Sequence, residues 1–376
     1  MNKKLFLGMF AAAGMLLATS CSKEDLNTAQ SGSEAQVTFS LGLEGGIGAK
    51  TRAISDGTSA DKLVYAVFDG NGNRITTIGK EEKTGVSFPA NVTLTLAKGQ
   101  TYKVAFWAQD DDCAAYTLDD DMNVTVDYTN ATNNDETRDA FFKTVTFTVT
   151  GSTSVDVELK RPFAQINVGV TDKDWTAAVA SGITIDQSSV TIKKAATSIN
   201  LLTGQVSGSE DVTYSLANIP AEDLTADGDG DGVDETYKYL SMGYILVSDG
   251  SDDGTQKATL ESLEFTFKPQ SGNDIVLKEG LASVPVQRNY RTNILGQLLT
   301  GDIDFNISIA PIYDGDYAYP SGSAQELAMA AANGGTVTLQ ENVELQKPLA
   351  IASGKKVVIN LNGKDIAPTA GMDRTI

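Results

Sequence analysis

Apolar and polar residues alternate with a period of two along most of the chain. From Gln36 to Leu43 the pattern sets Val37, Phe39, Leu41 and Leu43 on one face, which predicts a half-buried strand. Leu63 to Phe68 predicts another. Asp69-Gly70-Asn71-Gly72-Asn73 tolerates positive φ and turns the chain back into Arg74 to Ile78, so a hairpin is expected. The same period recurs at Val92-x-Leu94-x-Leu96, Tyr102-x-Val104-x-Phe106 and Val124-x-Val126-x-Tyr128. It recurs again at Val145-x-Phe147-x-Val149 and Val155-x-Val157-x-Leu159. Short strands at regular spacing with polar turns predict a β-sandwich.

Lys160-Arg161-Pro162 interrupts the pattern, which then restarts. Strands are expected at Phe163 to Val170, Val190 to Lys193, Tyr237 to Val247, Leu260 to Lys268, Asn289 to Leu299 and Ile303 to Ile309. Trp107 and Trp175 fall at packing positions in or beside the two cores. The tail changes character: Ser323 to Leu327, with Ala330 and Ala331, predicts a short helix closed by Asn333-Gly334-Gly335. Short strands then follow at Thr336 to Leu339, Val343 to Leu345, Leu349 to Ile351 and Val357 to Leu361. The predicted fold class is therefore all-β. Four segments result: 1–20, a sandwich at 21–160, a second at 161–315, and a helix-and-strand extension at 316–376.

The amino terminus carries a separate signal. Lys3 and Lys4 precede an apolar run from Leu5 to Ala18, too short to span a bilayer, and small residues Thr19 and Ser20 follow. This reads as a signal peptide over 1–20, with Cys21 next. Removing that segment leaves 27 basic against 49 acidic residues, a net charge of -22. Cys113 is then the remaining thiol, so no intramolecular disulfide is expected. It lies beside Asp110-Asp111-Asp112, whose charge is expected to raise its pKa and blunt its reactivity.

The 376 residues contain no histidine. That excludes His-based triads, His-ligated zinc and an imidazole base. A net charge of -20 makes nucleic acid a poor partner. With no nucleotide loop, nucleophile elbow or Cys/His cluster, the chain offers no catalytic residue to name. One chemical motif remains in Asp227-Gly228-Asp229-Gly230-Asp231-Gly232. Asp227, Asp229 and Asp231 hold positions 1, 3 and 5 of a calcium loop; position 12 is Lys238, with Asp234 or Glu235 as the substitute carboxylate. A soluble Gly/Asp loop tip is the plain alternative. Asp119-Asp120-Asp121 reads as a solvated turn.

Several segments resemble the fimbrillin family, the lipoprotein pilins of type V pili. They are Val64 to Asp69 before Gly72 to Ile75, Tyr102 to Gln109, Leu159 to Ile166, and Arg288 to Ile294 with Leu298-Leu299-Thr300. The resemblance covers roughly residues 21 to 315. It implies two transthyretin-like sandwiches, no enzymatic activity, and assembly with other pilus subunits by donor-strand exchange. Leu16 to Cys21 resembles a lipobox, which implies an acylated Cys21, an outer-membrane anchor and a surface-exposed fimbrium. Ala18 departs from the usual Leu. The resemblance also implies cleavage between Arg52 and Ala53, in the Gly-rich loop after the first strand; an uncut arginine, as in anchor subunits, is the alternative. The extension departs from the stalk-pilin pattern and favours a tip or accessory subunit that adheres to a glycan or to a host or bacterial surface. It resembles the cap of a right-handed parallel β-helix. The rival reading is a surface lipoprotein presenting a truncated carbohydrate-acting or glycan-binding β-helix.

Overall fold

The computed structural model describes residues 34–43, 57, 59–228, 233–247, 257–301, 303–311, 323, 327, 330, 331, 334–345, 351 and 354–368. Strands run in order over Glu34–Leu43 (β1), Lys62–Asp69 (β2), Lys80–Lys83 (β3), Ala90–Ala97 (β4) and Thr101–Gln109 (β5). Tyr116–Leu118 (β6), Asn123–Val126 (β7), Ala140–Thr148 (β8) and Thr153–Leu159 (β9) complete the first half. Phe163–Thr171 (β10) leads into the helix Asp172–Ala180 (α1) and Ile185–Ala195 (β11). Ser198–Asn200 (β12), Val206–Ser207 (β13), Glu210–Asn218 (β14), Leu224–Ala226 (β15) and Glu235–Leu246 (β16) follow. Next are Lys257–Pro269 (β17), Ile275–Leu277 (β18), Ala282–Gln287 (β19), Tyr290–Gln297 (β20) and Asp304–Pro311 (β21). The tail adds Gly335–Thr338 (β22), Val343–Leu345 (β23), Val357–Asn360 (β24) and Ile366–Pro368 (β25).

The all-β expectation holds. One sheet has the order β4-β1-β9 and faces a second, β3-β2-β5-β8. Leu63, Tyr65 and Val67 of β2, with Val104 and Phe106 of β5, point into the core between them. Their neighbours Val64, Ala66, Phe68, Ala105 and Trp107 point the opposite way, into a larger core. This second core continues through β15-β16-β10-β20-β21 and β14-β11-β17-β18. A sheet covered on both faces needs apolar residues at consecutive positions, and Leu63 to Phe68 supplies them. Strands from either side of the Lys160 junction also share one sheet, β13-β12-β7-β6.

One expectation needs correction. Arg74 makes only a single bridge to Phe68, and the strand that returns along β2 is Lys80–Lys83. The return is thus shorter than the Gly/Asn turn suggested, because after Ile75, whose N–H donates to the Val67 carbonyl, the chain turns again with the Ile78 and Gly79 N–H groups on the Ile75 carbonyl at 3.1 and 3.2 Å. The segment after β10, where the pattern of alternation named no element, is helical. Thr171 caps it by accepting from the Asp174 N–H, with Asp172 and Asp174 in the first turn favouring the helix N-terminus. Asp174 also reaches across the fold. Its carboxylate accepts the N–H groups of Leu298, Leu299 and Thr300 at 2.7, 2.8 and 2.9 Å, which fixes the turn after β20.

The junction itself carries a buried ion pair. Arg161 donates to both carboxylate oxygens of Asp139 at 2.5 and 2.7 Å, and both side chains are almost completely buried. The guanidinium also lies 4.3 Å from the Phe141 ring centroid. Breaking such a pair leaves one charge buried, which costs about 3–5 kcal/mol, whereas replacing both ions with apolar residues is often tolerated. Arg161→Ala is therefore expected to lose about 3–5 kcal/mol of stability. Arg161→Met combined with Asp139→Leu should recover most of that loss. Urea denaturation of the three proteins measures both effects.

The first strand as candidate functional site

β1 is a central strand, although it is the first among the described residues. Eight of its residues pair antiparallel with β4, and seven pair in parallel with β9. Its inward face is Val37, Phe39, Leu41 and Leu43, all at 3% exposure or less. Phe39 is the centre of this face, with its ring centroid 5.3 Å from those of both Phe106 and Phe147. Such tilted and edge contacts suit aromatic quadrupoles. The outer face is polar: Thr38 hydrogen-bonds Thr93 across β4 at 3.0 Å, and Ser40 contacts Ser154 of β9 at 3.4 Å.

Two properties follow from that position. Without β1, the facing edges of β4 and β9 would both present unpaired N–H and C=O groups, and the core beneath would open along a slot one strand wide. The opposing sheet would still be covered on its other face by the larger core. What the arrangement can do chemically is hold one alternating strand and, once emptied, accept another.

The other predicted sites are placed as follows. Cys21, Arg52, Ala53, Asp229 and Asp231 lie outside the described residues. Asp227 is half-buried, and Glu235 at the start of β16 turns its carboxylate onto the loop base. It accepts from the Gly228 N–H at 3.0 Å and from the Tyr237 hydroxyl at 3.2 Å. Among the described residues, no group of three or more His, Cys, Asp or Glu side chains is placed to hold a metal. Asp119 closes an Asx turn on Asp121 and Asn123, matching the expected turn. Trp107 is fully buried, and Trp175 packs against the same core. The Cys113 thiol is pushed up chiefly by burial, with Asp135 adding to it; the sequence reading had assigned the effect to the aspartates beside it. No helix among the described residues is long and apolar enough to cross a membrane.

Alternation alone reaches the β1 face; that the strand fills a groove in its own sheet was implied by the fimbrillin resemblance and not by the pattern. Strand order is not visible in a period of two; the one signal is that both neighbours, Val92 to Leu96 and Val155 to Leu159, carry matching alternation.

The fold and this strand define an all-β protein of packed sheets whose N-terminal strand closes a slot in the first of them. The chain belongs to the family described as "Family of unknown function (DUF6562)", which matches residues 28–346. No curated protein matches the sequence. Among solved structures, it is similar to the tip fimbrial protein Mfa3 of Porphyromonas gingivalis, with C-terminal truncation. The identity is 13%, the TM-score 0.44, and the match covers 74% of this chain and 100% of that one. A candidate polysaccharide-binding protein (DUF1812) of Bacteroides thetaiotaomicron matches at 11% identity and TM-score 0.43, covering 75% and 99%. A candidate cell adhesion protein of Bacteroides uniformis matches at 14% identity and TM-score 0.42, covering 74% and 98%.

Phe39→Ala should remove the contacts of a fully buried aromatic and lower stability by about 3–5 kcal/mol. Thr38→Ala, on the polar face of the same strand, should change it by no more than about 0.5 kcal/mol. Chemical denaturation of both variants checks that the strand is held by its inward face.

Proposed function

We propose that this chain is a lipid-anchored surface subunit of the fimbrillin kind, non-enzymatic, whose first strand is a removable occupant of its own sheet. The observation that supports this reading is the placement of β1 between β4 and β9 with its apolar face wholly buried. Cleavage after Arg52 would sever the one covalent link between β1 and the rest of the fold. The strand would still resist leaving, because exposing four apolar side chains costs roughly 1.5–3 kcal/mol each. An incoming strand with the same alternation offsets that cost by filling the same slot, which is β-augmentation inside a sheet. A neighbouring subunit in the pilus is the natural donor. The tail beyond β21 suits a tip or accessory position, where the exposed end engages a glycan or a cell surface.

Limited digestion with an Arg-specific protease should yield a chain beginning at Ala53. That chain should run as a ladder of oligomers on an unboiled gel, whereas intact protein and Arg52→Ala should not. Cleavage without a ladder would sink strand exchange, and resistance at Arg52 would make the protein an uncut anchor.

The membrane attachment is tested separately at Cys21. In the native host, a labelled fatty acid should mark the wild type and not Cys21→Ser. Label retained by the variant would remove the lipid anchor from the proposal.

A further inference from the structure

The two ends of β1 are held unequally. Val37 to Leu41 pair on both sides, but beyond that stretch the pairing is one-sided. Glu34, Ala35 and Gln36 stand opposite Ala97, Leu96 and Thr95 of β4, while the β9 ladder begins only at Thr153, opposite Val37. The Gln36 N–H donates instead to the Ser152 hydroxyl at 3.2 Å. At the other end Gly42 and Leu43 pair with Glu158 and Leu159 of β9, and the β4 ladder has already stopped at Ala90, opposite Leu41.

Burial separates these two one-sided ends. Every residue from Phe39 to Leu43 is buried, whereas Glu34 and Gln36 are exposed. The inward side chain is a small Ala35 at the first end and a Leu43 at the other, so less apolar area is kept from water at the Glu34 end. A strand opens first where few apolar contacts and exposed backbone bonds hold it. Opening Glu34 to Gln36 bares the β4 edge from Thr95 to Ala97 and leaves Phe39 seated between Phe106 and Phe147.

Building on the reading of β1 as a removable occupant, we infer that exchange begins at the Glu34 end, on the β4 edge from Thr95 to Ala97. The partner is an alternating strand that enters by its own amino-terminal residues. To fill the slot as β1 does, it must run antiparallel to β4 and parallel to β9. Its first residues therefore meet Ala97, Leu96 and Thr95, and its large side chains reach the aromatic floor only after that contact is made. Pairing then advances toward Leu159, each new bond replacing one made by β1, so the slot is never wholly empty. Departure of β1 as a unit would instead expose Val37, Phe39, Leu41 and Leu43 together. The strand that fits carries a small apolar residue between two polar ones, followed by larger apolar residues at every second position.

The test uses the Cys21→Ser chain cut after Arg52, with fluorescent synthetic peptides of the β1 sequence, Glu34 to Leu43, as the incoming strand. Entry, followed by anisotropy, should speed up with peptide concentration. A peptide lacking Glu34 to Gln36 should enter about tenfold more slowly than one lacking Gly42 and Leu43, because contacts made early act on the forward rate. The final affinities should fall in the opposite order, since Leu43 buries the larger side chain. Hydrogen exchange on the uncut chain gives a second readout: the Gln36 and Val37 amides should lose protection before those of Ser40 and Leu41. Entry by no peptide would overturn strand exchange itself and this inference with it. Slower entry by the peptide without Gly42 and Leu43, a rate independent of concentration, or earlier loss of protection at Ser40 and Leu41 would overturn the inference and leave exchange standing.

Discussion

Everything in the first half depends on the middle of the sheet β3-β2-β5-β8, strands β2 and β5, being buried on both faces. Leu63, Tyr65 and Val67 belong to one core, Val64, Ala66 and Phe68 to the other. Because the larger core secures this sheet from behind, the smaller core can be built around a strand that is not permanent. A free-standing sandwich offers no such support: removing a central strand from one of its two sheets exposes the only core it has. Here the loss is confined to one slot, with the opposing sheet held in place by Trp107 and Phe142 on its far side. The capacity for exchange is thus a property of layer count as much as of β1 itself.

The strand also shows why a slot can be selective without any chemical site. Its inward side chains are spaced two residues apart and meet a fixed aromatic floor of Phe106 and Phe147. A one-residue slip would turn Thr38 and Ser40 into that floor and Phe39 toward water. Since β1 is antiparallel to β4 and parallel to β9, an incoming strand must satisfy two different hydrogen-bond geometries at once. Backbone pairing supplies much of the affinity, and alternation supplies the specificity.

How far the sequence carried the structure depends on burial. One-faced strands such as β4, with Val92, Leu94 and Leu96 inward, were legible from alternation alone. The face of β1 was legible in the same way, but its place in mid-sheet was not, because the register partners of Thr38, Thr93 on β4 and Ser154 on β9, lie 55 and 116 residues away and leave no local trace. Short strands with one or two inward side chains, such as β6, β12 and β15, fall below the length at which a period shows. The helix α1 had a signal, Thr171 with Asp174 three residues on, that the surrounding run of strands masked. In the tail, the Gly-Gly turn and the short apolar strands did point to parallel coils, which the pairing of β22 with β24 bears out.

Strands buried on both faces pose a further problem, because alternation no longer fixes their register. β10 is the extreme case, with every residue from Phe163 to Val170 buried. In such a strand an apolar slip costs little, since one methyl-bearing side chain replaces another. The polar residues remove that freedom. Asn167 is the register partner of Asn293 on β20 and donates to it at 2.8 Å, while the Tyr239 hydroxyl donates to Asn167 at 2.5 Å. Two residues earlier, Gln165 stands opposite Arg291 and accepts from it at 3.0 Å. Shifting β10 by one position would set Asn167 against Thr292 or Ile294 and leave a buried amide without its partner, a penalty of about 1–3 kcal/mol for each such group. The Arg161–Asp139 pair does the same at the start of the strand, where the chain passes from one core to the other. Two-faced burial and buried polar pairs therefore belong together. The first permits the layered build that frees β1, and the second restores the single register that an all-apolar strand would lose.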